Sequence, residues 1–161
     1  GPKGRPYYVL FLDLYKAYDS VHWEWMMKTL EAIGLPAWAI NIVKALLHEV
    51  KITPFFGTRV KVWILVTRGV RQGCPLSPLI FLIAYEPLLS HLARVVPGVD
   101  RHAFADDLAC GTHHLFDLSG VMRVMDMFGL ASGLVASVPK CVLVSSSDEL
   151  EDIVKWLKSG T

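Results

Sequence analysis

Charge is scarce in this sequence. Only 19% of its 161 residues are charged while 53% are apolar, and 16 basic against 15 acidic residues leave a net charge of +1. So much apolar content excludes a disordered chain, which could not bury enough surface to offset its ordering entropy. The even balance withholds the basic signature, a pI above about 9, that nucleic-acid-binding domains often carry. Cysteine is scarce too: Cys74, Cys110 and Cys141 are too few and too scattered for a disulfide framework, and no Cys-x-x-Cys pair exists. The six histidines lack metal-ligand spacing, and His113-His114 reads as a polar loop. An intracellular, reducing compartment follows. Long hydrophobic runs are missing as well. The most apolar window, Leu79 to Leu92, carries Glu86, Pro87 and His91 and falls short of the ~18 residues of a span, so neither a signal peptide nor a membrane contact is expected. There is no repeat and no starting Met, and Gly1-Pro2 reads as the remnant of a cleaved tag.

What is present is an apolar surplus over the ~45–50% of an average soluble domain, in a length that suits one domain. Charge is uneven: residues 1–100 hold 11 basic and 7 acidic residues, residues 101–161 hold 5 and 8. A polyanion would meet the first part more readily. Residues 7–14 form an aromatic-rich apolar run, expected as a strand buried on both faces, with Asp13 its one charge. A helix is expected from Val21 to Ile33, with Trp23, Met26, Met27, Leu30 and Ile33 on one face, Asp19 or Ser20 as its cap, and Gly34 and Pro36 ending it. Further helices are expected at Ala37–His48, at Ser77–Leu92 (apolar nearly all round, kinked or weakened at Pro87) and at Leu118–Leu130. Strands are expected near Phe56-Gly57, over Val60–Val66, as a hairpin over His102–Cys110 and at Cys141–Val144. The tail from Glu149 to Leu157 fits a helix or a strand. The fold class implied is α+β, helices on one face of an antiparallel sheet.

Three places could carry chemistry. Asp106-Asp107 lie between apolar arms; two carboxylates about 4 Å apart repel by ~4 kcal/mol at an effective dielectric near 20, which a cation or shared proton would relieve. Taken alone, such a pair is most often a solvated turn. Asp13 shifts that balance, because a carboxylate at the end of a buried strand is costly unless paired or metal-bound. If its strand lies beside the hairpin, Asp13 and Asp106 could reach the same Mg²⁺ ions. The loop Arg68 to Pro78 leads into a helix start; Gly69 and Gly73 allow close backbone approach to a ligand, Arg68 and Arg71 supply charge, and Gln72 a neutral donor and acceptor. Composition alone equally allows a surface loop. Lys140, by itself, reads as a solvated charge.

Together these segments resemble reverse transcriptases of the non-LTR, LINE-like retroelement group. Phe11-Leu12-Asp13-Leu14-Tyr15-Lys16-Ala17-Tyr18-Asp19 is similar to motif A, and Arg71-Gln72-Gly73-Cys74-Pro75-Leu76-Ser77-Pro78 to motif B in its LINE-like form. Phe104-Ala105-Asp106-Asp107 resembles the A-D-D box of motif C, and Ser132-Gly133-Leu134 through Lys140 resembles motif D. Lys155-Trp156-Leu157 faintly resembles the start of motif E. The resemblance implies a polymerase palm, an RRM-like antiparallel sheet packed on helices, with the whole chain one palm subdomain whose fingers and thumb are absent. It implies two Mg²⁺ ions, with Mn²⁺ able to substitute, held by Asp13, Asp106, Asp107 and the backbone of Leu14. Tyr15 would face the triphosphate, Tyr18 would act as a steric gate against a ribose 2′-OH, and Arg71, Gln72 and Gly73 would contact nucleotide and template. Lys140 would approach the pyrophosphate, the positioning and electrostatic logic of phosphoryl transfer. The implied partners are an RNA template, a DNA primer and dNTP, and the implied location is the nucleus. Four departures stand out: Phe104 for the commoner Tyr, Ser137 for the usual Asn with Pro139 before the Lys, Lys158 where motif E has Gly, and, foremost, too little chain before motif A for the family's fingers. The implied function is an RNA-directed DNA polymerase whose isolated fragment has little activity. An inert palm-like module serving folding or partner binding, and an RNA polymerase or nucleotide cyclase of similar fold, are the competing readings.

Overall fold

The computed structural model describes residues 5–47, 51–52 and 64–146. Strand β1 (Tyr8–Leu12) is the centre of the fold. Tyr8, Leu10 and Leu12 are buried while Phe11 is 48% exposed, so β1 has one buried face rather than the two expected. The reason is the sheet's single helical layer: its other face lies open. After a short helix α1 (Ala17–Ser20), helix α2 (Trp23–Ala32) buries Met26 and Leu30, and α3 (Ala37–Leu47) buries Ile40, Val43 and Leu47. Asp19 and Ser20 belong to α1 and do not cap α2; its N-cap is His22, without a side-chain cap bond. Ile33 lies beyond the last turn and is 55% exposed. Gly34, at φ +80, ends the helix as expected.

Strands β2 (Lys51–Ile52) and β3 (Ile64–Leu65) pair antiparallel. The strand expected near Phe56-Gly57 and most of the one over 60–66 lie outside the described residues, as do Gly1-Pro2 and the tail from 147 with Lys155-Trp156-Leu157. Helix α4 (Ser77–Val95) runs unbroken through Pro87. Its 19 residues are long and apolar enough to cross a membrane. Here α4 is instead a core helix packed on α2 and on α5 (Leu115–Ser132), burying Phe81, Ala84, Tyr85, Leu88 and Leu92. It is not apolar-buried all round: Leu79 and Leu82 are exposed, because only one face of it meets α2 and α5. Each complete burial of a side chain such as Leu88 is worth ~1.5–3 kcal/mol.

The hairpin is present as β4 (Asp100–Phe104) and β5 (Asp107–Thr112), and β6 (Val142–Ser145) completes a sheet of order β4-β5-β1-β6. All neighbours are antiparallel, with Leu10 opposite both Cys110 and Leu143. Sequence-distant β5 and β6 therefore flank β1, which fixes where motif A stands. The open sheet face carries Phe104, Phe11, Val142 and Val144, all exposed.

Candidate active site

Asp13 is the first residue past β1. The last paired position is Leu12 against Leu108, so one further step along this antiparallel register sets Asp13 opposite Asp107. Strand alternation puts Asp13 with Phe11 and Asp107 with Ala109, on the open face. Asp106 lies in the two-residue turn between Phe104 and Asp107, whose first residue, Ala105, has φ +54. A non-glycine residue held there stores ~1–2 kcal/mol of strain. Among the described residues there is no cluster of three or more His, Cys, Asp or Glu able to hold a metal ion.

The segment 135–137 docks along the end of motif A. Tyr15 N–H donates to Val135 O (2.9 Å), Ser137 N–H donates to Asp13 O (2.7 Å), and Leu14 bridges Ala136. Next comes a 3₁₀ turn, Val138–Lys140, which accommodates Pro139 early, where its missing N–H costs nothing. Lys140 leaves this turn with Nζ 3.4 Å from Asp13 Oδ2. That oxygen is buried and accepts no hydrogen bond. Ser137 and Pro139, the departures from motif D, thus leave Lys140 at the carboxylate of motif A. Motif D opens on a structural joint: buried Ser132 donates to Phe128 O and accepts from Leu134 N–H, while His22 N–H donates to Ser132 O.

The motif B loop is tied to residues 18–23. Gly69 N–H donates to Val21 O and Val70 N–H to Tyr18 O, both at 2.7 Å, and Trp23 Nε1–H donates to Gly69 O at 2.7 Å. A Cβ on Gly69 would stand 2.8 Å from Asp19 Cα, Asp19 O and Tyr18 O. Its close approach is therefore to the protein's own backbone and not to a ligand. Gly73, at φ +84, faces open space. Gln72 Nε2–H reaches Asp19 Oδ1 at a long 3.5 Å, and Arg71 is exposed. Cys74 has its thiol pKa lowered, first by the Leu76 amide, then by Ser77 and the Arg71 charge. Tyr15 is 55% exposed, with Lys16 Nζ 5.5 Å above its ring.

Tyr18 is half-buried, its ring stacked on Phe81 at 4.6 Å and 13°. Phe81 in turn stacks on Tyr85, at 5.8 Å and 16°. Neither Phe81 nor Tyr85 belongs to a motif; the signal for both in the sequence is their i, i+4 spacing on an apolar helix. The Tyr85 hydroxyl is buried without a partner. Its pKa is raised by burial first, then by the Cys110, Asp106 and Asp107 charges.

A carboxylate-tipped hairpin beside a central strand, with helices behind, defines the palm of a template-directed polymerase. Telomerase from Candida tropicalis shares this fold with a TM-score of 0.71 at 16% identity, over 88% of this chain and 31% of that one. Telomerase from Candida albicans, in complex with a fragment of telomeric RNA, gives 0.73 at 14%, over 88% and 27%. The family model "Reverse transcriptase (RNA-dependent DNA polymerase)" matches residues 2–157, and the chain belongs to that family. It is similar to the Pol polyprotein of the type-1 retrotransposable element R2 of Popillia japonica, 26% identical over 90% of this chain. The type-2 element R2DM of Drosophila melanogaster is 31% identical over 87%. These relatives make it a fragment of the non-LTR group, and it spans 25% of the first relative's length. Reverse transcriptases generally work with divalent metal ions. The residues fit such an ion: a buried, bond-free carboxylate oxygen on Asp13 and a second carboxylate on the same open face are the hard oxygen donors a divalent ion takes.

Proposed function

We propose that the chain is the catalytic palm of an RNA-directed DNA polymerase, joining a dNTP to a primer 3′-OH on an RNA template. The observation that carries this reading is the Asp13 Oδ2 atom, buried and unbonded at the end of the central strand β1, with Lys140 3.4 Å away. Asp13, Asp106, Asp107 and the Leu14 carbonyl would hold two Mg²⁺ ions, Mn²⁺ substituting. Such ions, when bound, lower the pKa of the attacking hydroxyl and neutralise the leaving oxygens. The protein's own groups do the rest. Asp13 and Asp107 hold negative charge on the open face, and the exposed rings of Phe11 and Phe104 supply apolar surface there for the primer end. Tyr15 and Arg71 are exposed toward solvent and would meet the triphosphate, Gln72 and Gly73 the incoming base, and the Tyr18 ring the sugar edge. Lys140 would hold its proton beside the reacting phosphates and deliver it to the departing pyrophosphate. The Candida albicans neighbour was solved with a fragment of telomeric RNA, which supports RNA as a partner of proteins with this fold.

The test uses the full-length protein that contains this chain. Primer extension on RNA with dNTP should stop when divalent ions are chelated, resume when Mg²⁺ is restored, and be lost in Asp106→Asn. An unchanged rate in Asp106→Asn would overturn the assignment and favour an inert module.

A further inference from the structure

Tyr18 has few ways to move. Its carbonyl is held by Val70 N–H, and its ring lies flat on Phe81, a side chain with no exposed surface. Phe81 is itself backed by Tyr85, which meets Phe128 edge-on, and Phe128 meets Trp25 edge-on. The Trp25 indole donates to Ala84 O, pinning the column to the helix that carries Phe81 and Tyr85. Rings in such contact favour a fixed offset, and a flat aromatic neighbour restricts rotation about χ2 far more than an aliphatic one of similar volume. A side chain that discriminates by excluding one hydroxyl must be held to a fraction of an ångström, because a ring free to lean aside excludes nothing.

We infer that Phe81 is a specificity-determining positioning residue, which holds the Tyr18 ring at the angle that separates deoxyribonucleotides from ribonucleotides. The inference rests on the proposed role of Tyr18 and extends it to a residue that touches no substrate. Phe81 acts only through Tyr18, so its effect must vanish when the Tyr18 ring is gone. A purely structural Phe81 would lower the use of both nucleotides alike.

The experiment measures kcat/KM for a dNTP and for the matching rNTP in the full-length protein and in Tyr18→Ala, Phe81→Leu, Phe81→Tyr and the double variant Tyr18→Ala/Phe81→Leu. Tyr18→Ala should relax discrimination most. Phe81→Leu should relax it by about five- to tenfold, the size of a lost ring stack, through a gain with rNTP. Phe81→Tyr keeps the ring and should keep the discrimination. The double variant should match Tyr18→Ala alone, the non-additivity of one shared device. If Phe81→Leu does not fold, Phe81→Met serves in its place. Relaxation in Tyr18→Ala with none in Phe81→Leu would overturn this inference and leave the gate standing. No relaxation in Tyr18→Ala would overturn the gate itself. Additive effects in the double variant would also overturn the inference.

Discussion

Lys140 Nζ stands 3.4 Å from Asp13 Oδ2, close enough for charge to be felt, while that oxygen accepts no hydrogen bond at all. The pair is thus held by Coulomb attraction without a directed bond, and the Lys140 side chain is 66% exposed. Such a pair adds little to stability, since solvent screens it. On the proposed function, it keeps an ammonium beside the carboxylate that the reacting phosphates would approach.

Replacing Lys140 should therefore affect chemistry more than folding. In the full-length protein, Lys140→Met is expected to lower kcat for a single dNTP addition by about a hundredfold, the usual scale of a lost proton donor, with KM changed less. Single-turnover extension measures this. An unchanged kcat would remove Lys140 from the mechanism.

Gly69 and Gly73 both have φ above +80, but only Gly69 is crowded. Gly69→Ala must strain the backbone and also push Tyr18 and Asp19 away, so a loss of more than ~3 kcal/mol is expected. Gly73→Ala carries the strain alone, about 1–2 kcal/mol. Urea midpoints of the two variants rank them; equal losses would contradict the packing at Gly69.

The Tyr85 hydroxyl is buried with no partner. Removing it leaves the stack and discards an unmet desolvation cost, so Tyr85→Phe should raise stability by about 1 kcal/mol. Thermal melting would show this as a higher midpoint. A lower midpoint would mean that the hydroxyl bonds a trapped water.

Cys74 and Cys110 should titrate in opposite directions. The Cys74 thiol is lowered chiefly by the Leu76 amide, while burial pushes Cys110 up to about 11. Alkylation follows the thiolate, so Cys74 should react with iodoacetamide through a midpoint below that of an unperturbed cysteine in a short peptide, losing reactivity as pH falls through that midpoint. Cys110 should stay unmodified across the neutral range. Mass spectrometry after timed alkylation reads both, and a Cys74 midpoint at or above the ordinary value would contradict the loop geometry.

The local pieces are legible within the chain itself. The apolar run 7–14, the Gly-Pro stops, the arms around Asp106-Asp107 and the four ordered motifs named the elements and the family, because period and turn chemistry are written within a few residues. Tertiary structure decided what those pieces meet. That β5 and β6 both flank β1, that the antiparallel register brings the end of motif A alongside the start of β5, and that Gly69 yields to the backbone at 18–19 depend on segments far apart in sequence. The half-open sheet that exposes Phe11, and the ring column from Tyr18 to Phe128, have the same origin. Hydrophobic pattern tells which side chains leave water, but packing and strand pairing choose their partners, and the candidate site is made of those partnerships.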